Sequence, residues 1–129
     1  MDWEKADQNL GEYLETLVAG YACKKKMMFG AAVFFVNGNM WTGVKGKIVF
    51  LRLSEKDCTA IQAESDEIRS FEPAPGRFMK EYVEVPESKL AGYTFTHKWL
   101  DISYSYVKSL PPKLKKEKNS LSKKNKKQN

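Results

Sequence analysis

Residues 28–36, MFGAAVFFV, are apolar almost throughout, and Asn37-Gly38 ends the run. Asn-Gly between apolar segments is the strongest short-range sign of a β-hairpin, because both central turn positions need positive φ. Met40, Trp41, Thr42 and Val44 supply the return strand. Lys45-Gly46-Lys47 makes a second tight turn. A third strand then runs from Ile48 to Leu53, with Ile48, Phe50 and Arg52 alternating against Val49, Leu51 and Leu53. Turns this short leave room for little except a three-stranded antiparallel meander.

Helical patterns flank the meander. Trp3, Ala6, Leu10, Leu14, Leu17 and Val18 recur at helical spacing, which predicts an amphipathic helix over residues 3–18 with Asp2 as its cap and Gly20 as its end. Ser54 opens a second helix, with Asp57 three positions on, and Cys58, Ala60 and Ile61 are expected to face inward. Pro73 and Pro75 exclude a central strand between Ser65 and Gly76. Phe78–Val85 reads as a strand that Pro86 closes, and Glu87–Leu90 as one helical turn. A last helix is capped by Thr96, with Phe95 and Leu100 as a hydrophobic staple and Trp99, Ile102, Tyr106 and Leu110 along one side, and Pro111-Pro112 stops it. The expected fold is α+β, two layers, with helices packed on one face of an antiparallel sheet.

Charge divides the chain in two. Residues 108–129 hold nine lysines against the single acid Glu117, whereas residues 1–107 hold 13 Lys/Arg against 15 Asp/Glu. The formal net charge of +6 therefore belongs to the C-terminal end. The expected organisation is one folded domain over 1–110 and a lysine-rich tail over 111–129 with too little apolar surface to offset the cost of ordering it. No apolar run approaches the ~20 residues needed to span a bilayer. The acidic, polar opening MDWEKADQNL lacks the pattern of a signal peptide. The expected location is the cytoplasm, where Cys23 and Cys58 remain free thiols.

Groups suited to catalysis are scattered. His97 is the sole histidine, neither cysteine belongs to a CxxC pair, and no metal-ligand spacing occurs, so no catalytic residue, metal site or cofactor is expected. Gly43-Val44-Lys45-Gly46-Lys47 lacks the spacing of a phosphate-binding loop and falls inside a hairpin. Arg77, after the Pro75-Gly76 turn, is open to three readings: an anion contact, an ion pair to Glu72 or Glu81, or plain surface. A small-molecule site there would need a pocket holding Arg77 with Tyr82 or His97 within reach. Trp41, alternating with polar Thr42 in a thin domain, and Tyr104 and Tyr106, nearly opposite each other on the last helix, are candidates for a protein interface; the alternative is that helices cover them. Lys24, Lys25 and Lys26, together with Lys115, Lys116, Lys123, Lys124, Lys126 and Lys127 of the tail, are candidates for weak, salt-sensitive contact with nucleic-acid phosphates. The expected partners are a protein or a second copy of the chain, with nonspecific nucleic acid as an alternative and no membrane.

Two blocks resemble a known family. Met28-Phe29-Gly30 followed by Phe34-Phe35-Val36-Asn37-Gly38-Asn39-Met40-Trp41, and Phe71-Glu72-Pro73-Ala74-Pro75-Gly76-Arg77-Phe78-Met79-Lys80-Glu81-Tyr82-Val83-Glu84-Val85-Pro86, are similar to segments of the TfoX/Sxy N-terminal domain family. The closing stretch from Trp99 to Lys113 resembles its last helix. Ala31 stands where that family usually has a second glycine. The resemblance implies an α/β fold akin to secretion chaperones, and a regulatory or adaptor role rather than an enzymatic one. The best-known members regulate natural competence, acting at promoters with a cyclic-AMP receptor protein. The family offers no catalytic residues to carry over, and its C-terminal helical domain has no counterpart in these 129 residues.

Overall fold

The computed structural model describes residues 6–113. Its elements run α1 (Gln8–Val18), β1 (Lys24–Met28), β2 (Ala31–Val36), β3 (Asn39–Lys45), β4 (Ile48–Arg52), α2 (Glu55–Glu64), β5 (Arg69–Ala74), β6 (Arg77–Pro86), α3 (Glu87–Leu90) and α4 (Tyr93–Ser109). The strands form one antiparallel sheet in the order β1-β2-β3-β4-β6-β5. The α+β class read from the sequence is present, with a sheet twice as wide as the meander alone.

The additional strand at the front comes from a turn inside the apolar run. Phe29 and Gly30 have φ of 56° and 79° and form a two-residue turn closed by the pair Met28↔Ala31. This splits the expected strand into β1 and β2 and places Lys24–Lys26 within the sheet instead of beside it. Gly30 is a ready turn residue, but a left-handed Phe is uncommon, so the break leaves only a faint trace in the sequence. The Asn37-Gly38 turn, with φ of 52° and 81°, matches its expected geometry.

Both terminal helices begin elsewhere than expected. Asp7 caps α1: its carboxylate accepts from the Leu10 N–H at 3.0 Å, and its own N–H donates to Gly46 O at 2.9 Å. The helix therefore starts at Gln8, and Asp2 and Trp3 lie outside the described residues. Gly92 stands at the N-cap of α4. Thr96 lies inside that helix, where its hydroxyl donates to Leu90 O at 2.9 Å and ties α4 back to α3. Ser54 caps α2 as read, accepting from the Asp57 N–H at 3.1 Å, and Cys58 and Ile61 are buried, but Ala60 is exposed. Pro73 is accommodated because β5 is an edge strand with irregular pairing to β6.

The sheet is buried unequally on its two faces. On one, Leu10, Leu14 and Val18 of α1, Cys58 and Ile61 of α2, and Trp99, Leu100 and Val107 of α4 pack on Phe34, Trp41, Leu51 and Val83. The other face draws only on strands, with Val33, Phe50, Phe71 and Tyr82 buried among half-buried Met28, Phe35, Met40, Ile48 and Met79. Strand residues bury themselves there because Gly43 leaves room for the Phe50 ring. A Cβ at position 43 would lie 2.6 Å from Phe50 Cζ. Phe50 in turn stacks on Phe71 across the intervening β6, with ring centroids 4.9 Å apart.

The chain leaves the described region strapped to a hairpin tip. The Lys113 N–H donates to Asn37 O at 2.8 Å, and Asn39 Nδ2 donates to Pro111 O at 3.1 Å. Gly38 is pressed against this strap, since a Cβ there would lie 2.0 Å from Lys113 O. Residues 111–113, grouped by sequence with the lysine-rich tail, are thus held on the body, and 114–129 lie outside the described residues. Gly38→Ala combines a positive φ with that collision. It should cost about 1–3 kcal/mol in urea unfolding and speed hydrogen exchange at the Lys113 amide. An unchanged unfolding midpoint would show that the strap does not press on the turn.

Candidate functional site

Trp41, a candidate for an interface or for cover by the helices, lies fully buried in β3 at 0% exposure. Its role is internal, which corrects the interface reading. The indole N–H donates to Ser103 Oγ at 2.9 Å, and the Ser103 hydroxyl donates to Arg52 O at 2.5 Å. Tyr21 and Tyr104 close a triangle of rings around the indole, with centroids 5.0–5.2 Å apart. The Tyr104 hydroxyl donates to Ala22 O at 3.0 Å, and that of Tyr21 to Asp101 Oδ1. Tyr104 and Tyr106 are half-buried rather than open to solvent. The sequence pattern passed over Ser103, a small polar residue on the buried side of α4, although it joins the helix to two strands.

The other singled-out residues do not converge. Arg77 is exposed in the β5–β6 turn. Its expected ion-pair partners are engaged elsewhere: Glu72 accepts from the Gly76 N–H at 2.6 Å, and Glu81 pairs with Arg52 at 3.0 Å. The Tyr82 hydroxyl donates to Met40 O at 3.2 Å, and the His97 ring lies 4.2 Å from that of Tyr93. Neither is joined to Arg77. Among the described residues no group of His, Cys, Asp or Glu is arranged to hold a metal ion.

Two concave regions lined by described residues bear on a binding role. One is a crevice of about 20 Å³ in the helix-side core, lined by apolar groups such as Leu14, Leu51, Ile61 and Trp99. It is an imperfection of packing, with room for about one water and only the Thr96 hydroxyl, already bonded, to hold it. The other is an open groove of about 250 Å³ between α1 and β1, lined among others by Gly11, Glu12, Glu15, Lys25, Met27 and Ala32. The groove lies beside α1, which packs mainly over β2 and β3.

β1 carries Lys24, Lys25 and Lys26, all exposed, and Met27 at 62% exposure. Lys25 pairs with Glu15 across the groove at 2.8 Å, and the Lys26 ammonium lies 4.9 Å from the Phe35 ring centroid on the opposite face. The expected lysine cluster is thus distributed over both faces of an edge strand. Lys115, Lys116, Lys123, Lys124, Lys126 and Lys127 lie outside the described residues.

Ionisable groups in the interior are held neutral. Burial pushes the Cys58 thiol up to about 11, with the carboxylates of Glu81 and Asp57 adding to the shift. Burial likewise raises the Tyr82 phenol to about 12 against the opposing pull of Arg52, and raises Tyr21, whose hydroxyl bonds to Asp101. Burial also raises the Cys23 thiol. A thiol held protonated is a poor nucleophile, so neither cysteine is activated.

A family model described as the TfoX N-terminal domain matches residues 13–106. No curated protein and no solved structure matches the chain.

Two expectations follow from this geometry. Ser103→Ala leaves the buried indole N–H without its acceptor and should cost about 1–3 kcal/mol. In a Trp41→Phe background the same change should cost less, because the orphaned donor is gone, and equal costs in a double-mutant cycle would break the assigned link. Cys58 and Tyr82 are acids whose folded pKa lies above the ordinary 9.0 and 10.0. The unfolded chain therefore releases protons first as pH rises, so their stabilising contribution is complete below pH 9 and declines through about 11 and about 12. Urea unfolding across this range should show the decline, and Cys58→Ala should flatten its lower part.

Proposed function

Because the chain belongs to the TfoX N-terminal domain family, we propose that it is a non-catalytic regulatory or adaptor domain that works by binding a protein partner. Its role, on this reading, lies in transcription or competence regulation in the cytoplasm. The observation that carries the reading is the division of labour among side chains. Buried polar groups such as Ser103, Thr96 and the Trp41 indole are committed to joining helices to the sheet. Large apolar groups stand at the surface, with Met27 62%, Phe78 59% and Tyr93 76% exposed. Such groups suit contact better than chemistry. No helix among the described residues is long and apolar enough to cross a membrane.

A second reading rests on the nine lysines of residues 108–129, which favour nonspecific attraction to nucleic-acid phosphates. The two differ in their response to salt. Affinity purification of the full-length chain across a salt series should retain a stoichiometric protein partner whose binding survives salt, as apolar contact does. Retention of nucleic acid alone, lost steeply as salt rises, would replace the first reading with the second. A chain recovered without any partner at every salt concentration would remove both.

A further inference from the structure

We propose that the free edge of β1 is a docking site for an extended acidic segment of a partner protein, added to the sheet as a seventh strand. The proposal rests on the protein-binding reading above and names the surface and chemistry through which it would operate.

The backbone supplies the first reason. β1 is the outermost strand, and the two-residue turn at Phe29-Gly30 makes Met28↔Ala31 the closing, hydrogen-bonded pair of the hairpin. Bonded and non-bonded pairs alternate in an antiparallel ladder, so Lys26 and Lys24 also turn their peptide groups toward β2. The N–H and C=O groups of Lys25 and Met27 therefore point outward, where an incoming strand would meet them. Among the described helices, α1 is the nearest to this edge, and it packs mainly over β2 and β3, reaching β1 through the Glu15–Lys25 pair on the helix-side face.

Side chains supply the second. Lys24, Lys26 and Met28 alternate with Lys25 and Met27 along β1. Lys26 reaches over Phe35 and Met28 packs with the helix-free cluster, whereas Lys25 and Met27 line the groove beside α1. No carboxylate among the described residues pairs with Lys24 or Lys26. A strand laid against β1 thus finds cations on one face and an apolar thioether beside the groove on the other. The complementary segment alternates acidic and apolar residues, with carboxylates next to Lys24 and Lys26 and apolar side chains next to Met27.

Charge also decides between occupants. Two copies of the chain joined edge to edge would bring one row of three lysines against another, and like charges facing each other destabilise strand pairing. A phosphate backbone would suit a continuous basic stripe. Here the lysines are divided between two faces, and Lys25 is already held by Glu15 at 2.8 Å. An acidic peptide uses both the charges and the outward peptide groups.

The test uses the full chain and a fluorescein-labelled peptide of about eight residues, within the usual strand length, in which glutamate and valine alternate. Binding is followed by anisotropy at physiological salt. The expected result is saturable binding, with slowed hydrogen exchange at the Lys25 and Met27 amides. Lys24→Glu/Lys26→Glu should weaken binding about tenfold or more. Met27→Pro removes an outward donor without changing charge or breaking a bond to β2, and it should weaken binding similarly. The lysines beyond Lys113 are present in every variant, so their attraction for acids cancels from the comparison. Equal binding of a peptide with the same composition but its glutamates contiguous, unchanged exchange at Lys25 and Met27, or displacement by duplex DNA with equal effect on all variants would each overturn the proposal. If affinity purification recovers the same protein partner with Lys24→Glu/Lys26→Glu as with the unaltered chain, the adaptor reading stands and the edge assignment falls.

Discussion

The hydrogen-bond relay from the Trp41 indole through the Ser103 hydroxyl to Arg52 O sets the arrangement of the helix layer. Ser103 accepts with one lone pair and donates with its single proton, so it serves the buried indole N–H and the part-buried Arg52 carbonyl at once. A displacement of α4 by one turn along its axis would leave the buried indole N–H without its acceptor, at a cost of about 1–3 kcal/mol. The rings of Tyr21 and Tyr104 fasten the segment after α1 to the same point. α4 is thereby fixed over the middle of the sheet, α1 takes the remaining space over β2 and β3, and β1 is left outside the cover.

The helix-free face shows a different solution to burial. A flat antiparallel sheet with one bare apolar face would be an aggregation hazard. Here the aromatic side chains of β4, β5 and β6 lie across neighbouring strands. Gly43 provides the depression into which Phe50 fits, and the irregular pairing of β5 brings Phe71 over Phe50. Tyr82 completes this layer, with its hydroxyl bonded to Met40 O. The second face is largely self-covered, which leaves the β1 edge as the place where backbone groups, charge and an exposed apolar side chain meet.

Much of this architecture is legible in the chain. Asn37-Gly38, Gly46 and Pro75-Gly76 mark turns through residues whose conformational preferences are strong, and the alternation in β4 assigns Val49 and Leu51 to the helices and Phe50 to the other face. What escapes is where tertiary contacts override local preference. Phe29 adopts a left-handed conformation that its side chain does not advertise, so β1 merges with β2 in the pattern. Trp41 looks exposed beside polar Thr42, yet both are fully buried, because Thr42 donates to Phe50 O at 2.7 Å and Trp41 to Ser103. Polar residues with one well-placed partner are invisible to hydrophobic periodicity. The family assignment was legible because its blocks are turn residues and aromatics at fixed spacing. The β1 edge was not, because it depends on which strand lies outermost.

The strap over Gly38 connects the two basic features of the chain. Lys113 is bonded to Asn37 at the tip of the β2–β3 hairpin, and Lys24 pairs with Phe35, two residues before Asn37. The lysine-rich sequence therefore emerges from the same end of the sheet at which β1 begins. Its origin is held by the bonds of Lys113 N–H to Asn37 O and of Asn39 Nδ2 to Pro111 O, and Gly38 leaves the room they need. Charges separated by more than about a Debye length, roughly 8 Å at physiological salt, contribute to steering and not to bound-state contacts. On the proposal that an acidic segment adds to β1, alignment at short range falls to Lys24–Lys26, which lie on the strand itself. Residues 1–107, with 13 Lys/Arg against 15 Asp/Glu, are nearly neutral, so the formal net charge of +6 is carried by residues 108–129.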